Sequence, residues 1–349
     1  MRRSLLPKIG AGLILALAAA PATANGPSAA LEPSARLPSG SAASEYWDLA
    51  AHFASGHRVY ARFLITNEGP GERNGVAIGH VITPDGVAVE FRNGRLEDRW
   101  TLGSEGRRLE IGSSLLDLSA STRQLRITKK RKGVRLLLDW ATDASGTRMP
   151  RPEGSAYHVD LLNLGTPIAG SLWVRGMEAP IAVEGRVALT HTWIEKNENK
   201  VALRRIDVVT LEGDTAFFLS DLTSPNGDRW QSAAVTEPSG SVAVTHTDAP
   251  APLGEPTSRG DYPIPTRIPV VLPVLSGSIT LGEPLLRLDP LDALPLAVRM
   301  VYSFRARPHR IWVDVRVDLA PKRAAEGAAL TLGGAGVAAF TFLDSLPSE

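Results

Sequence analysis

The stretch Ile311-Trp312-Val313-Asp314-Val315-Arg316-Val317-Asp318-Leu319 decides the fold class of this chain. Its isoleucine, valines and leucine occupy every second position, and Trp312 and charged residues stand between them. Successive side chains of a β-strand point to opposite faces of the sheet. The alternation therefore predicts a strand with one face in a core and the other in water.

Runs of similar character fill most of the chain. Residues with high β propensity concentrate in short segments, and the helical period of about 3.6 residues is hard to find. Turn signals such as Pro84-Asp85-Gly86, Asn93-Gly94 and Pro225-Asn226-Gly227 separate neighbouring runs. We therefore predict an all-β fold of antiparallel strands, closed as up-and-down barrels or packed as a sandwich. The candidate strands are residues 59–66, 76–82, 87–91, 134–140, 157–162, 168–174, 181–193, 203–211, 215–219, 241–246, 278–281, 296–304 and 310–319.

Length and composition are those of an ordinary globular protein. The 349 residues exceed the roughly 150 typical of one domain, which favours two folded units. The 38 Lys and Arg residues almost cancel the 37 Asp and Glu residues, so no long-range field gathers nucleic acid. Because the sequence contains no Cys, disulfides, thiolate metal sites and thiol nucleophiles are excluded.

The N-terminus has the features of a secretory signal peptide. Arg2 and Arg3 supply positive charge, residues 9–20 are almost purely apolar, and Ala22-Thr23-Ala24 is a small-x-small cleavage site. We expect removal of residues 1–24 and a periplasmic or secreted protein. The apolar run is shorter than the about 20 residues of a spanning helix, so no transmembrane segment is expected. The arginine pair also fits a twin-arginine signal, which leaves the export route open.

Composition shifts suggest how the rest of the chain is divided. Residues 25–44 are rich in Pro, Gly, Ser and Ala, which predicts a flexible linker. We place a first β-domain at 45–194 and a second at 195–345, because the polar run 195–200 is suited to an exposed connection. The proline-rich stretch 248–273 predicts a long surface connection or a sheet edge, which would cross between domains or cover a barrel mouth.

Sequence motifs of the common catalytic chemistries are missing. There is no G-x-S-x-G elbow, P-loop or H-E-x-x-H pattern, and histidines and carboxylates do not cluster at metal spacing. A G-x-G-x-x-A string at 334–339 lies too near the C-terminus for a βαβ unit. The basic run 129–132 is typical of a solvated hairpin loop. We predict no metal, no cofactor and no nucleic-acid partner.

Among the histidines within predicted strands, His80, His158 and His191 stand out. A hydrogen-bonded interior histidine explains such positions as readily as a functional one. His191 is the strongest candidate, because alternation places it between Leu189 and Trp193 on one side of its strand. A buried imidazole needs a partner, since an unpaired polar group in a core is costly. A hydrogen bond that joins two domains and a ligand-facing role both satisfy that need.

Three segments resemble the AttH and carotenoid 1,2-hydratase family of double lipocalins. Glu45-Tyr46-Trp47-Asp48, followed by His52-Phe53 and Tyr60-Ala61-Arg62-Phe63, is similar to the start of that family. The strand 185–193 resembles its G-x-x-Y-x-D-H-x-W segment, and residues 261–269 are similar to a proline-rich stretch of its second domain. The resemblance covers residues 45–275 in the expected order. It implies two calycin-like, lipocalin-like β-barrels packed side by side, with an apolar ligand in or between them.

Two functional hypotheses follow from the resemblance. The first is a carrier of an apolar small molecule such as a lipid, isoprenoid or polyene, with contact to a membrane surface as a further interaction. Its ligand-binding candidates are Trp47, His80, Tyr157, Trp173 and Trp193, although plain core packing also explains each of the tryptophans.

The alternative is a hydratase or cyclase that acts on an isoprenoid or polyketide polyene by acid–base catalysis. The catalytic candidates are His191, Asp48 and Glu45, because protonation of an alkene calls for a carboxylic acid of raised pKa in an apolar site. A structural protein of the cell envelope is a third class. It would be favoured if side chains filled both barrels.

Overall fold

A computed structural model describes residues 31–67, 72–129, 133–142, 146–212, 215–236, 242–259, 262–288, 309–321 and 332–342. The predicted signal peptide 1–24 and the candidate strand 296–304 lie outside these ranges. Among the described residues, no helix has both the length and the apolar character that crossing a bilayer requires.

The first half of the chain forms one antiparallel sheet of 12 strands. The order β4-β3-β2-β1-β12-β11-β9-β8-β7-β6-β5 is a meander in which the first and last strands pair, while β10 pairs with β11. This sheet is almost a closed barrel. Its strands are β1 Ser44–Phe53, β2 Arg58–Thr66, β3 Asn74–Ile82, β4 Ala88–Arg95, β5 Trp100–Gly103, β6 Arg108–Ile111, β7 Ser114–Asp117, β8 Thr122–Lys129, β9 Val134–Ala141, β10 Thr147–Arg148, β11 Tyr157–Val174 and β12 Ile181–Ile194.

The second half forms an eight-stranded antiparallel sheet in the order β16-β15-β14-β13-β22-β21-β20-β19. A separate hairpin, β17 with β18, lies in the proline-rich stretch, and β19 is an edge strand, as a region poor in backbone donors requires. The strands are β13 Arg204–Thr210, β14 Phe217–Thr223, β15 Arg229–Thr236, β16 Val242–Thr247, β17 Pro256–Arg259, β18 Tyr262–Pro265, β19 Arg267–Val271, β20 Leu275–Leu288, β21 His309–Pro321 and β22 Leu332–Phe342.

In the described ranges, helix is confined to short segments: the 3₁₀ turns Glu97–Arg99 and Ser104–Gly106 lie in the first barrel, and α1, Glu198–Val201, connects the two sheets. The all-β prediction with two calycin-like barrels is confirmed. Whether the predicted division at residues 194 and 195 separates independent domains stays a prediction.

Among the described residues, alternation along the strands creates three large apolar cores and one small cluster at Val76 and Ile78. Every second residue of β1 and β12 joins the interior of the first barrel, and the matching residues of β21 and β22 join the interior of the second. The opposite faces of several of the same strands form a third core between the barrels. Strand β21 shows the consequence. Ile311, Val313 and Val315 are buried as predicted, but Trp312 on the supposedly wet face is also buried, because it stacks on Tyr60 of the first barrel.

Residues 31–43, which we call the N-terminal strap, pack against the first barrel. Leu31, Ala35 and Leu37 contact its core, and Ala35 N–H donates to the Gly106 carbonyl at 2.8 Å. The composition of residues 25–44 predicts a flexible linker. In the described part of that range, hydrogen bonds and apolar contacts join the chain to the barrel, and its flexibility stays a prediction.

Candidate functional site

Four predicted site residues meet inside the first barrel. Trp47 of β1 lies opposite His191 of β12 in the antiparallel register, and Glu45 lies opposite Trp193. All four side chains belong to the inward face of their strands, where Leu49 and Leu189 continue the barrel core. We call this group the barrel site. Strand alternation and register alone bring it together.

A hydrogen-bonded pair is the polar centre of the barrel site. Glu45 Oε1 lies 2.6 Å from His191 Nε2, and both side chains have no exposed surface. The same carboxylate accepts hydrogen bonds from the Arg36 N–H at 2.7 Å and the Leu37 N–H at 2.8 Å. With three donors around its two oxygens, Glu45 acts as an acceptor. It therefore fixes the strap and the histidine together.

Glu45 also decides the tautomer of His191. Because Nε2 donates to the carboxylate, the neutral imidazole carries an unprotonated acceptor at Nδ1. Nδ1 is buried and has no hydrogen-bond partner in the described part of the protein. The ring stacks on Trp47, with centroids 4.6 Å apart and planes 8° from parallel. The Trp47 Nε1–H is likewise buried without a partner.

The rim of the barrel site is cationic and aromatic. Trp193 stacks on His158 with ring centroids 4.8 Å apart. Its ring is tilted relative to the His191 ring, and those two centroids are 5.2 Å apart. Asp160, which lies opposite His191 on the neighbouring strand, is buried and binds Arg148 at 2.8 and 3.1 Å. Burial, reinforced by nearby arginines, lowers the pKa of His158. The rim carboxylate is therefore neutralised, and His158 favours its uncharged form.

The structure separates Asp48 from His191. Asp48 occupies the outward face of β1, where its carboxylate binds Arg62 through two contacts of 2.7 Å and Arg310 of the second barrel at 2.9 Å. Burial alone would raise the pKa of this carboxyl, but Arg310 and Arg62 hold it well below its usual range. Asp48 therefore stays ionised at neutral pH, and its geometry does not suit a proton donor.

Tyr157 also lies between the barrels. Its hydroxyl contacts the Tyr46 hydroxyl, donates to Glu198 Oε1 at 2.6 Å and accepts from Arg205 Nη1 at 3.0 Å. Burial raises the pKa of Tyr157 well above its ordinary value. Arg205 in turn binds Asp207 at 2.7 Å.

A small cavity accompanies these inter-barrel contacts. Its volume is about 30 Å³, and its lining includes Asp48, Thr190, Asp207, Arg310 and Trp312. A space of this size holds about one water molecule. This cavity is therefore too small for a bulky ligand.

His80 and Trp173 lie apart from the barrel site. His80 is on the outer face of β3, where burial and then Arg92 lower its pKa to about 4. Trp173 is on the outer face of β11, where its ring N–H donates to the Met177 carbonyl at 2.9 Å and Arg135 lies over the ring. Neither side chain is turned toward the barrel interior that holds His191.

Sequence reasoning missed the arginines that join the barrels. Arg62, Arg205 and Arg310 are charged residues inside β-rich runs, which is the signal that could have identified them as buried. For metals, the described ranges contain no group of three or more His, Asp or Glu side chains arranged to hold an ion.

Comparison with known proteins supports the fold. No family model matches the sequence, and no curated protein matches it. Among solved structures, an AttH-like protein from Nitrosomonas europaea is 13% identical with a TM-score of 0.60, over 90% of this chain and 97% of that one. CghA with Sch210972 is 12% identical with a TM-score of 0.58, over 91% and 96% of the two chains.

Kievitone hydratase from Nectria haematococca is 10% identical with a TM-score of 0.55, over 87% of this chain and 90% of that one. Identities this low establish similarity of fold rather than of activity. The chain therefore has the double-barrel fold of AttH-like and hydratase-type proteins, as the sequence resemblance predicted.

Proposed function

We propose that this protein is exported and binds an apolar small molecule, such as a lipid, an isoprenoid or a polyene, at the barrel site. The observation that carries the proposal is the buried Trp47–His191 stack, whose two free ring nitrogens face no protein partner among the described residues. Buried polar atoms in native proteins are nearly always hydrogen-bonded, so each exception calls for an explanation. A ligand or an ordered water supplies one.

The strap supports the same proposal. It packs on the barrel through apolar side chains, through the two hydrogen bonds to Glu45 and through further hydrogen bonds to Gly106 and Asn67, and it belongs to neither sheet. A segment outside the strand ladders opens at a lower free energy than a strand inside a sheet. An apolar molecule can therefore reach the site without disruption of the barrel. One solved structure of this fold is that of CghA with Sch210972.

Native mass spectrometry of the protein purified from its own exported fraction tests the proposal. We expect a co-purifying apolar molecule, which organic extraction would then identify. A protein that leaves the cell empty and also fails to bind a hydrophobic dye would overturn the carrier function. Recovery of the protein solely from the cytoplasm, with residues 1–24 still attached, would overturn export.

Hydration or cyclisation of a polyene is the second candidate function. The Glu45–His191 pair favours it, because a carboxylate that binds one imidazole nitrogen leaves the other as a base for a water molecule. An alkene also needs a proton donor. Glu45 accepts three hydrogen bonds and Asp160 binds Arg148, so neither described carboxylate near His191 is free to donate one. We therefore favour ligand binding over catalysis as the function.

Incubation with lycopene in ¹⁸O-labelled water distinguishes the two functions. A hydratase adds one labelled water to a double bond, and His191→Gln removes that product while the protein stays folded. Absence of any hydrated or cyclised product, together with retained lycopene binding, would leave the carrier function alone.

A further inference from the structure

Two unsatisfied polar atoms in the barrel site have opposite hydrogen-bonding character. The Trp47 indole can only donate, through Nε1–H, and it is buried without a partner in the described chain. In the neutral ring, with the proton on the Nε2 that faces Glu45, His191 Nδ1 can only accept. The two rings stack at a centroid distance of 4.6 Å, so the donor and the acceptor belong to adjacent parallel rings.

Other tryptophans show that this chain usually satisfies its indole groups. Trp100, Trp140, Trp173 and Trp230 each donate the ring N–H to a protein oxygen, at distances of 2.7 to 3.2 Å. Trp47 is as buried as Trp140, at 2% exposure each, yet it has no such acceptor among the residues that the structure describes. Leaving a buried donor without a partner is costly, because the group loses its hydrogen bond to water. The exception therefore marks a position where something other than protein completes the hydrogen bond.

One chemical group matches both atoms at once. An alcohol oxygen carries one O–H donor and two acceptor lone pairs, so it can donate to His191 Nδ1 and accept from Trp47 Nε1–H. A carbonyl or an ether can only accept, and a hydrocarbon satisfies neither atom. The surroundings favour an apolar body behind that group, because Leu49, Leu189 and the strap residue Leu37 line the same interior.

We infer that the ligand is an apolar alcohol, whose hydroxyl donates to His191 Nδ1 and accepts from Trp47 Nε1–H. This inference rests on the proposed function and adds the chemical class of the ligand. Glu45 is a positioning residue here, since it fixes the tautomer of His191 without contacting the alcohol. The competing occupant of the same place is a single ordered water.

A matched ligand series tests the inference. Dissociation constants are measured by displacement of a hydrophobic dye, for farnesol and phytol, for their methyl ethers and for the corresponding hydrocarbons. We expect each alcohol to bind about tenfold more tightly than its ether, which corresponds to one hydrogen bond of about 1.4 kcal/mol. The hydrocarbon should bind more weakly than the ether, because the ether still accepts from Trp47.

Trp47→Phe removes the N–H and keeps an aromatic ring on His191. We expect it to weaken alcohol and ether about equally, by roughly tenfold. Trp173→Phe, on the outer face of the barrel, is the matched control and should leave every dissociation constant unchanged. If Trp47→Phe fails to fold, the alcohol-to-ether ratio of the unmodified protein still decides.

The outcomes separate the two proposals. Equal binding of alcohol, ether and hydrocarbon would overturn the hydroxyl contact and keep the carrier function, and a water would then occupy the site. Absence of binding throughout the series would overturn both. Tight alcohol binding that Trp47→Phe does not change would remove Trp47 from the contact and contradict the inference as stated.

Discussion

Glu45 connects the strap to strand β12 of the first barrel, which its position in the sequence does not indicate. Its two oxygens accept from Arg36, Leu37 and His191, and none of these contacts reaches water because the side chain is fully buried. Such an arrangement makes the residue sensitive to the loss of a single acceptor.

We predict that Glu45→Gln lowers the free energy of unfolding by about 2–3 kcal/mol, because an amide nitrogen replaces one acceptor and faces a buried N–H. Urea denaturation monitored by tryptophan fluorescence measures the change. Glu153→Gln, at an exposed position, is the control and should stay within about 0.5 kcal/mol of the unmodified protein. Equal stabilities of the two variants would contradict the role given to Glu45.

The environment of His191 was predicted only in part from strand alternation. Alternation predicted correctly that His191 and Trp193 share a face, and a buried imidazole had to have a partner. It did not identify Glu45 as that partner, since the two residues meet only through the pairing of β1 with β12. Asp48, three positions after Glu45, is on the opposite face of β1. An odd separation within one strand always has this consequence.

At the level of elements, the strap has contacts that its composition does not indicate. Residues 31–43 contain Pro, Gly, Ser and Ala, which usually describe a linker. Their order comes from groups outside the segment, because Glu45 binds two of its amides and Asn67 donates to the Pro38 and Gly40 carbonyls. Local composition contains no information about such contacts.

We predict that the Arg36 and Leu37 amides are protected from hydrogen exchange, and that Glu45→Gln removes this protection while the strands of the barrel keep theirs. Exchange followed by mass spectrometry of peptides measures both regions in one experiment. Fast exchange of these two amides in the unmodified protein would show that the strap is already open.

The predicted faces of strand β21 are confirmed for only part of the strand. The alternation of β21 predicted one buried and one wet face, and Arg316 and Asp318 are indeed exposed. Arg310 and Trp312 on that same face are buried, because the first barrel covers this end of the strand. A strand pattern reports two faces but cannot report that a second barrel packs on one of them.

At the scale of the whole molecule, buried histidines link stability to pH. Burial, followed by an adjacent arginine, lowers the pKa of His52 and of His80 from 6.5 to about 4. Between these values the unfolded chain binds protons that the folded protein excludes. Stability is therefore complete above pH 6.5 and falls as the pH drops toward 4.

We predict that each histidine contributes a loss on the order of 2 kcal/mol between about pH 7.5 and pH 5. Urea titrations at both pH values measure this loss. In the variant His80→Gln the loss should be smaller than in the unmodified protein, by about the contribution of one histidine. An identical pH dependence in both proteins would contradict the low pKa of His80.

The contact between the barrels depends on buried charge. Asp48 on the first barrel binds Arg62 beside it and Arg310 across the interface, with side chains 12%, 13% and 4% exposed. Removal of one partner from a buried ionic group leaves uncompensated charge, which costs about 3–5 kcal/mol. Arg58 and Asp314 form a second ion pair across the same interface, but their side chains are 24% and 47% exposed.

The two aspartates therefore form a matched pair of test positions. We expect Asp48→Asn to destabilise the protein by about 3–5 kcal/mol and Asp314→Asn by at most about 1 kcal/mol, because water screens the second pair. Differential scanning calorimetry measures both. We expect one transition for the unmodified protein and two for Asp48→Asn, since each barrel has its own core. Arg310→Met added to Asp48→Asn removes one stranded cation and should recover part of the loss. Equal effects of the two aspartate substitutions would show that buried charge does not hold the barrels together.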